Sequence, residues 1–245
     1  MIALAAAAAP SSGPVIPSFG PTDPCVTGHH LFCPGWVRDE WGSTIQPALL
    51  QHIKLTAIAV SVGFAIALAL ALLADRYRPL APPFGVFAAI VYTIPSLALF
   101  QLLVPVTGLT VTTVEIALAS YTLIVLFRNT LTGLQSTPPD VLEAARGMGL
   151  SDRQMLLRVR LPLAIPAIMA GLRVAVVLTI AEATVASFII PEGLGFQIRE
   201  GIRTSFSTGI LTAGGLAVLL AFAADGLLVL LQRVLTPWSR RWRVA

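Results

Sequence analysis

Two kinds of residue in this chain can do chemistry: isolated charges inside apolar runs, and one charged loop between two such runs. Glu182 lies within Thr179-Ile180-Ala181-Glu182-Ala183-Thr184. A carboxylate in hydrocarbon is costly, so it faces a bundle interior, a partner or a cavity. Two readings of Glu182 stay open: it lines a route and attracts a cationic group, or it bonds to a neighbouring helix. Asp225 reads as a packing residue near the end of its run, and Arg173 as snorkelling to the interface or pairing with an acid. Glu115 is close enough to an outer surface to be hydrated. The loop is Glu143-Ala144-Ala145-Arg146-Gly147-Met148-Gly149, continuing through Val159 to Leu161-Pro162. Its mixture of charge, helix formers, glycine and proline fits docking to a soluble partner.

A proline inside an apolar run marks a second place of interest. Pro95 frees a backbone carbonyl that Thr93, Ser96 or water must satisfy, and broken helices commonly line transport routes. Tyr92, Thr93, Pro95, Ser96 and Gln101 are therefore candidates for such a route together with Glu182. Tyr92 and Phe188 can offer a cation-π face, although aromatics at helical spacing also serve ordinary packing. Catalytic signals are missing. There is no phosphate-binding Gly-x-x-x-x-Gly-Lys-Ser/Thr loop, so ATP hydrolysis is not expected of this chain. His29, His30 and His52 form no metal motif, and no Gly-x-Ser-x-Gly elbow is present, so no metal, cofactor or catalytic residue is assigned.

The elements that position these residues are membrane helices. Hydrophobic residues make up 56% of the chain and charged ones 11%, with a mean hydropathy of +0.84, too few charges to cover a soluble domain. Apolar runs of spanning length occur at about residues 53–74, 84–104, 111–127, 166–190 and 210–231, and strand-like alternation is absent. The expected fold class is an all-α polytopic membrane helix bundle of about five spans. Arginines 76, 78, 128, 146, 153, 158, 160, 233, 240, 241 and 243 fall in loops that must share the cytoplasmic side, which puts the N-terminus outside and the C-terminus inside. That bias also explains the net charge of +4 without a nucleic-acid partner. Residues 1–44 read as an extracytoplasmic tail, irregular through about Gly42, and residues 45–245 as the membrane domain. The two cysteines, Cys25 and Cys33, lie in the tail, either bridged across a short loop or free.

Within the loop, assigned to residues 136–162, Ser136-Thr137-Pro138-Pro139-Asp140 has the grammar of a helix start, with a hydroxyl cap, proline in the first turn and an acid at the positive end. The helix is expected to present Val141, Leu142, Ala145 and Met148 as one apolar stripe and to end in a left-handed glycine around 147–149. Ser151-Asp152-Arg153-Gln154 reads as a capping box opening a second short helix that Pro162 interrupts before the membrane.

Glu143-Ala144-Ala145, Gly149, Val159 and Leu161-Pro162 together resemble the EAA loop of binding-protein-dependent ABC importer permeases, with valine at 159 where isoleucine is usual. The resemblance implies a type I ABC importer (MetI-like) permease fold in which these seven residues couple to the ATPase. Thr93 to Leu99, Arg128-Asn129-Thr130, Gly133, Leu161-Pro162-Leu163 and Ala170-Gly171-Leu172-Arg173 are similar to the osmoprotectant branch, which moves glycine betaine, choline, carnitine or proline betaine. Methionine and taurine permeases share the loop and fit less well around Pro95 and Arg128. The implied partners are two ABC ATPase subunits carrying ATP and Mg, a second permease subunit identical or homologous to this one, an extracytoplasmic substrate-binding protein and the bilayer of a bacterial cytoplasmic membrane. A secondary transporter would need an internal repeat, which is not found, and a membrane enzyme would need Glu182 and Asp225 brought together.

Overall fold

A computed structural model describes residues 31–237, and all regular structure among them is helical. Helix α1 (Pro34–Asp39) and a π-helical turn (Trp41–Ile45) lead into α2 (Gln46–Arg76). A 3-10 turn (Arg78–Leu80) precedes α3 (Ala81–Thr93) and α4 (Ser96–Thr107), and then comes α5 (Val111–Gln135). The loop contributes α6 (Pro139–Gly147), α7 (Asp152–Met155) and a second π turn (Leu156–Arg160), which run into α8 (Leu161–Val185). After a 3-10 turn (Ala186–Phe188) come α9 (Gly193–Arg203) and α10 (Ser207–Leu235).

Among the described residues, four helical stretches are long and apolar enough to cross a membrane: Trp41–Arg76, Val111–Gln135, Asp152–Phe188 and Ser207–Leu235. The expected second span is a pair, α3 and α4, bent by 99° at Ile94-Pro95, far more than an ordinary proline kink. Other expectations shift as well. The fourth span begins well before Pro166, which sits inside α8. The tail expected to be irregular through Gly42 contains α1, anchored where the Cys33 N–H donates to Thr208 Oγ1 at 3.0 Å and Trp36 meets Phe206 edge-on at 4.8 Å. The stretch between the last two expected spans, to which no element was assigned, holds α9, whose Leu194 is fully buried beside Ala48, Ala213 and Ala217.

The centre of the bundle is α5, packed between α2 and α8. Small residues let the backbones approach. A Cβ at Gly63 would fall on Thr122 Oγ1 and within 2.9 Å of the Ala119 carbonyl, one at Gly171 would come 2.6 Å from Asn129 Cβ, and one at Gly133 within 3.1 Å of the Ala164 carbonyl. Close approach of this kind is how membrane helices gain packing energy without a hydrophobic driving force. Around these contacts Leu55, Phe100, Val114, Leu118, Ile189 and Ile190 form one apolar cluster, and Ala67, Ala71, Ala74, Leu126 and Phe127 another. Gly63→Val is predicted to push α2 off α5 and cost about 1–3 kcal/mol, seen as a lower melting temperature and a broadened size-exclusion peak in detergent. Gly214→Val, where a Cβ meets open space, should leave both unchanged.

Candidate functional site

Helix α6 starts with Pro138 as its cap residue and no side-chain cap, a departure from the expected hydroxyl cap. Ser136 Oγ instead donates to the Gly133 carbonyl at 2.8 Å, and Thr137 is buried with its hydroxyl unpartnered. Asp140 does occupy the first turn. The expected single stripe divides in two. Ala145 is buried and Leu142 half-buried, whereas Val141, Ala144 and Met148 are exposed along with Glu143. Positions 141, 144 and 148 lie on one helical stripe, so α6 rests on the bundle by one face and offers a second apolar face outward.

The joint after α6 is the expected one. Gly149 has φ +78°, its N–H bonds to the Arg146 carbonyl at 2.9 Å, and the Leu150 N–H reaches the Ala145 carbonyl at 3.2 Å, which closes the helix end through a left-handed residue. The capping box at Ser151 and Gln154 is formed in both directions, at 3.4 and 2.9 Å. Pro162 departs from expectation, because it does not interrupt the second helix. It occupies the first turn of α8 just after the π turn, where a missing N–H costs least, and the Leu161 N–H closes that turn on the Leu156 carbonyl. Asp152 to Phe188 is therefore one continuous helical stretch. Val159 lies in the π turn, and Leu161 opens α8.

At the base of the loop Arg160 gathers three elements. Its terminal nitrogens bond both Asp75 carboxylate oxygens at 2.6 and 2.7 Å and the Leu134 carbonyl at 3.0 Å. One guanidinium thus ties the α8 stem to the C-terminal ends of α2 and α5. The side chains are 22% and 10% exposed, so the pair is largely shielded from solvent. Nothing in the sequence pointed to it, because the partners are 85 residues apart.

The membrane candidates separate into two groups. At the α3–α4 break the Thr93 hydroxyl satisfies the Ile90 carbonyl at 2.7 Å, as expected, and the Tyr121 hydroxyl of α5 donates to the Ile94 carbonyl. Tyr121 was not anticipated from sequence. Tyr92 and Tyr121 meet edge-to-face with centroids 5.8 Å apart, and both line a cavity of about 20 Å³ with Thr122, Thr179 and Glu182. The Tyr121 proton is used on Ile94, and one carboxylate oxygen of Glu182, Oε2, is buried without a hydrogen-bond partner. Glu182 sits three residues before the end of α8, nearer a helix C-terminus than expected, where the helix dipole adds no stabilisation to a negative charge. Thr93, Pro95 and Ser96 border the break, and Gln101 is exposed on α4, outside this cavity.

Residues 59–241 match the family described as the inner membrane component of binding-protein-dependent transport systems. The chain belongs to this family. Among its relatives, the osmoprotectant import permease protein OsmW of Salmonella typhimurium is 40% identical over 193 residues, covering 76% of this chain and 89% of that protein. The choline transport system permease protein OpuBD of Bacillus subtilis is 33% identical, covering 84% and 88%. The carnitine transport permease protein OpuCD of Listeria monocytogenes is 34% identical, covering 80% and 88%. In fold, the chain resembles a subunit of the MetNI methionine ABC transporter in inward-facing crystals, with a TM-score of 0.69 at 19% identity over 78% of this chain and 96% of that one.

Further polar contacts complete the permease. Arg173 pairs with Asp225 at 2.7 and 2.9 Å across α8 and α10, so these two charges neutralise each other. His52 is fully buried, its Nε2 donating to the Ile180 carbonyl at 3.0 Å, while neighbouring Gln51 accepts the Gly193 N–H at 3.3 Å. Gly193, at φ +72°, would press a Cβ to 3.2 Å of the His52 ring, so glycine there permits both the turn and the contact. On α9, Glu200 is held below the usual carboxylate range by hydrogen bonding to the Arg203 guanidinium. No group of His, Cys, Asp and Glu suited to a metal exists among the described residues. Asp75→Ala is predicted to leave the half-buried Arg160 without its carboxylate and to cost about 1–3 kcal/mol, measured as a fall in detergent melting temperature. Glu200→Ala, which breaks only an exposed pair, should leave that temperature nearly unchanged.

Proposed function

We propose that the chain is the membrane-spanning permease subunit of an ATP-driven importer for small quaternary-ammonium osmoprotectants: glycine betaine, choline, carnitine or proline betaine. Relatives named for choline, carnitine and osmoprotectant transport support the substrate class. The observation that carries it within this chain is Glu182, a carboxylate with an unpartnered oxygen beside two aromatic rings. A methylated ammonium has no N–H to donate, so recognition must come from charge and from the negative faces of aromatics, which this corner supplies. A cavity of about 20 Å³ holds a water at most; a solute enters only when the helices around it separate. Tyr92 and Glu182 are the substrate-facing residues of this reading, Thr93, Pro95 and Ser96 shape the break beside them, and Gln101 extends the path along α4.

The machine is completed by two ATPase subunits that bind ATP and Mg, a second permease subunit and an external substrate-binding protein. The N-terminus lies outside and the C-terminus in the cytoplasm of a bacterial cell, in keeping with the arginine distribution. The exposed stripe of Val141, Ala144 and Met148, with Glu143 beside it, docks in a groove of the ATPase, and Ala145, Gly149, Val159, Leu161 and Pro162 hold the geometry behind it. When ATP draws the ATPase subunits together, α6 moves, and the continuous stem into α8 carries that motion to Glu182. A bridge between Cys33 and Cys25, the latter outside the described part of the chain, belongs to this reading on the oxidising side.

Two measurements test this reading. Gly149→Val forces a β-branched residue to φ +78°, a strain of about 1–3 kcal/mol, and is predicted to abolish uptake in proteoliposomes while the ATPase still hydrolyses ATP. Uptake at the wild-type rate would contradict the coupling role. Glu182→Gln is predicted to reduce choline uptake about tenfold or more, the effect of losing one charge interaction of at least about 1.4 kcal/mol, and net-neutral glycine betaine uptake much less. Equal losses on both substrates would remove Glu182 from the path.

A further inference from the structure

The C-terminal end of α8 and helix α9 enclose a second cavity, of about 600 Å³, within the usual size range of small-molecule sites, about 300–1,000 Å³. Thr184 and Val185, two and three residues beyond Glu182 on α8, line it, and so does Phe188. It therefore comes next along α8 from the corner that holds the carboxylate. Phe188 ends the spanning stretch and is 60% exposed, whereas Ala186, Ser187, Ile189 and Ile190 around it are buried. Its ring meets no other ring and no cation among the described residues. The turn that carries it is held firmly. Gly195 packs so closely that a Cβ there would fall on the Thr184 backbone, and the Arg199 guanidinium donates to the Ser187 carbonyl.

The charged residues in the lining are Arg199, Glu200 and Arg203. Both Glu200 oxygens accept from Arg203, at 2.6 and 3.1 Å, so that pair is balanced internally and Arg199 leaves one positive charge in excess. Arg199 is half-buried in the middle of α9 and also lies over the Phe196 ring, 5.2 Å from its centroid. The site thus already sets one cation on an aromatic face and leaves the face of Phe188 open. Building on the osmoprotectant reading above, we propose that this cavity is a waiting site for betaines, in which the methylated ammonium rests on the Phe188 ring and the carboxylate turns to Arg199 before the solute passes to Glu182. A quaternary ammonium is held by a ring face, and a carboxylate by a guanidinium. A betaine carries both poles and gains both contacts. Choline gains the ring alone and meets the excess charge of Arg199, so the preference here is the reverse of that expected at Glu182.

The test uses the full-length chain with the subunits that co-purify, in lipid nanodiscs and without the binding protein. Phe188→Trp puts a fluorophore at the ring position, with the wild-type protein as the background from the tryptophans already present. Its emission is titrated with glycine betaine, choline and sodium acetate at matched ionic strength. The expected result is a saturable change with glycine betaine, an apparent affinity for choline about fivefold weaker or more, and no saturable change with acetate, which lacks the ammonium. In proteoliposomes supplied with loaded binding protein, Phe188→Leu keeps the apolar bulk and removes the aromatic face; it should lower glycine betaine uptake about fivefold with the melting temperature unchanged, and Phe188→Tyr should restore uptake. Glu182→Gln should leave the fluorescence titration as it is, so a failure of the Glu182 assignment and a failure of this site are told apart. No saturable change with glycine betaine, an equal response to acetate, an affinity for choline equal to that for glycine betaine, or wild-type uptake by Phe188→Leu overturns the proposal.

Discussion

Arg160 is the residue through which the cytoplasmic half of this permease is mechanically connected. A loop docked on a soluble partner can move membrane helices only if its root resists deformation, and three charge-assisted hydrogen bonds from one side chain provide that resistance. They fix the head of α8 to the ends of α2 and α5 at one point. Above it, α8 is continuous to Val185 and packs closely on α5 through Gly171 and Asn129. The turn between α6 and that stem is made at Gly149, whose φ is positive.

The upper half obeys a different constraint. In hydrocarbon no water satisfies a freed backbone carbonyl, so the chain can break only where a side chain supplies the partner. The α3–α4 corner meets that condition with Thr93 from its own helix and Tyr121 from α5. Tyr121 stands ten residues into α5, about 15 Å along the helix axis, near half the roughly 30 Å of a bilayer core. The Tyr92 and Tyr121 rings at this corner line one cavity with Glu182, whose carboxylate has one oxygen without a donor. The same hydroxyl that stabilises the corner thus makes no bond to the acid, whose Oε2 is buried without a partner.

Local signals in the sequence carried the features that depend on local interactions. Hydropathy located the spans, capping chemistry yielded the Ser151–Gln154 box and the Gly149 joint, and Pro95 marked the break. Long-range features were not legible. The Asp75–Arg160 and Arg173–Asp225 partners lie 85 and 52 residues apart, and no spacing rule links them, although Arg173 invited an acidic partner. Helix α9 was missed because eleven residues of mixed polarity between glycines read as a loop; Leu194 and Ile198, four apart and both facing the bundle, were the available signal. Pro162 misled for a physical reason. The preceding π turn shifts the hydrogen-bond register, so the missing donor falls where a helix does not need it. The division of the α6 stripe likewise depends on what lies beneath it, which a helical wheel cannot supply.

If α6 is the surface by which an ATPase drives this permease, a photo-crosslinking residue at Met148, 73% exposed on the outward face of the loop, must report it in native membranes. The predicted result is a covalent adduct with an ATP-hydrolysing subunit, its yield altered by ATP, and no such adduct from the same probe at Ile202, which is 64% exposed on α9 at the other end of the bundle. Adducts with lipid alone at Met148, or an ATPase adduct from Ile202 instead, would contradict that role for α6.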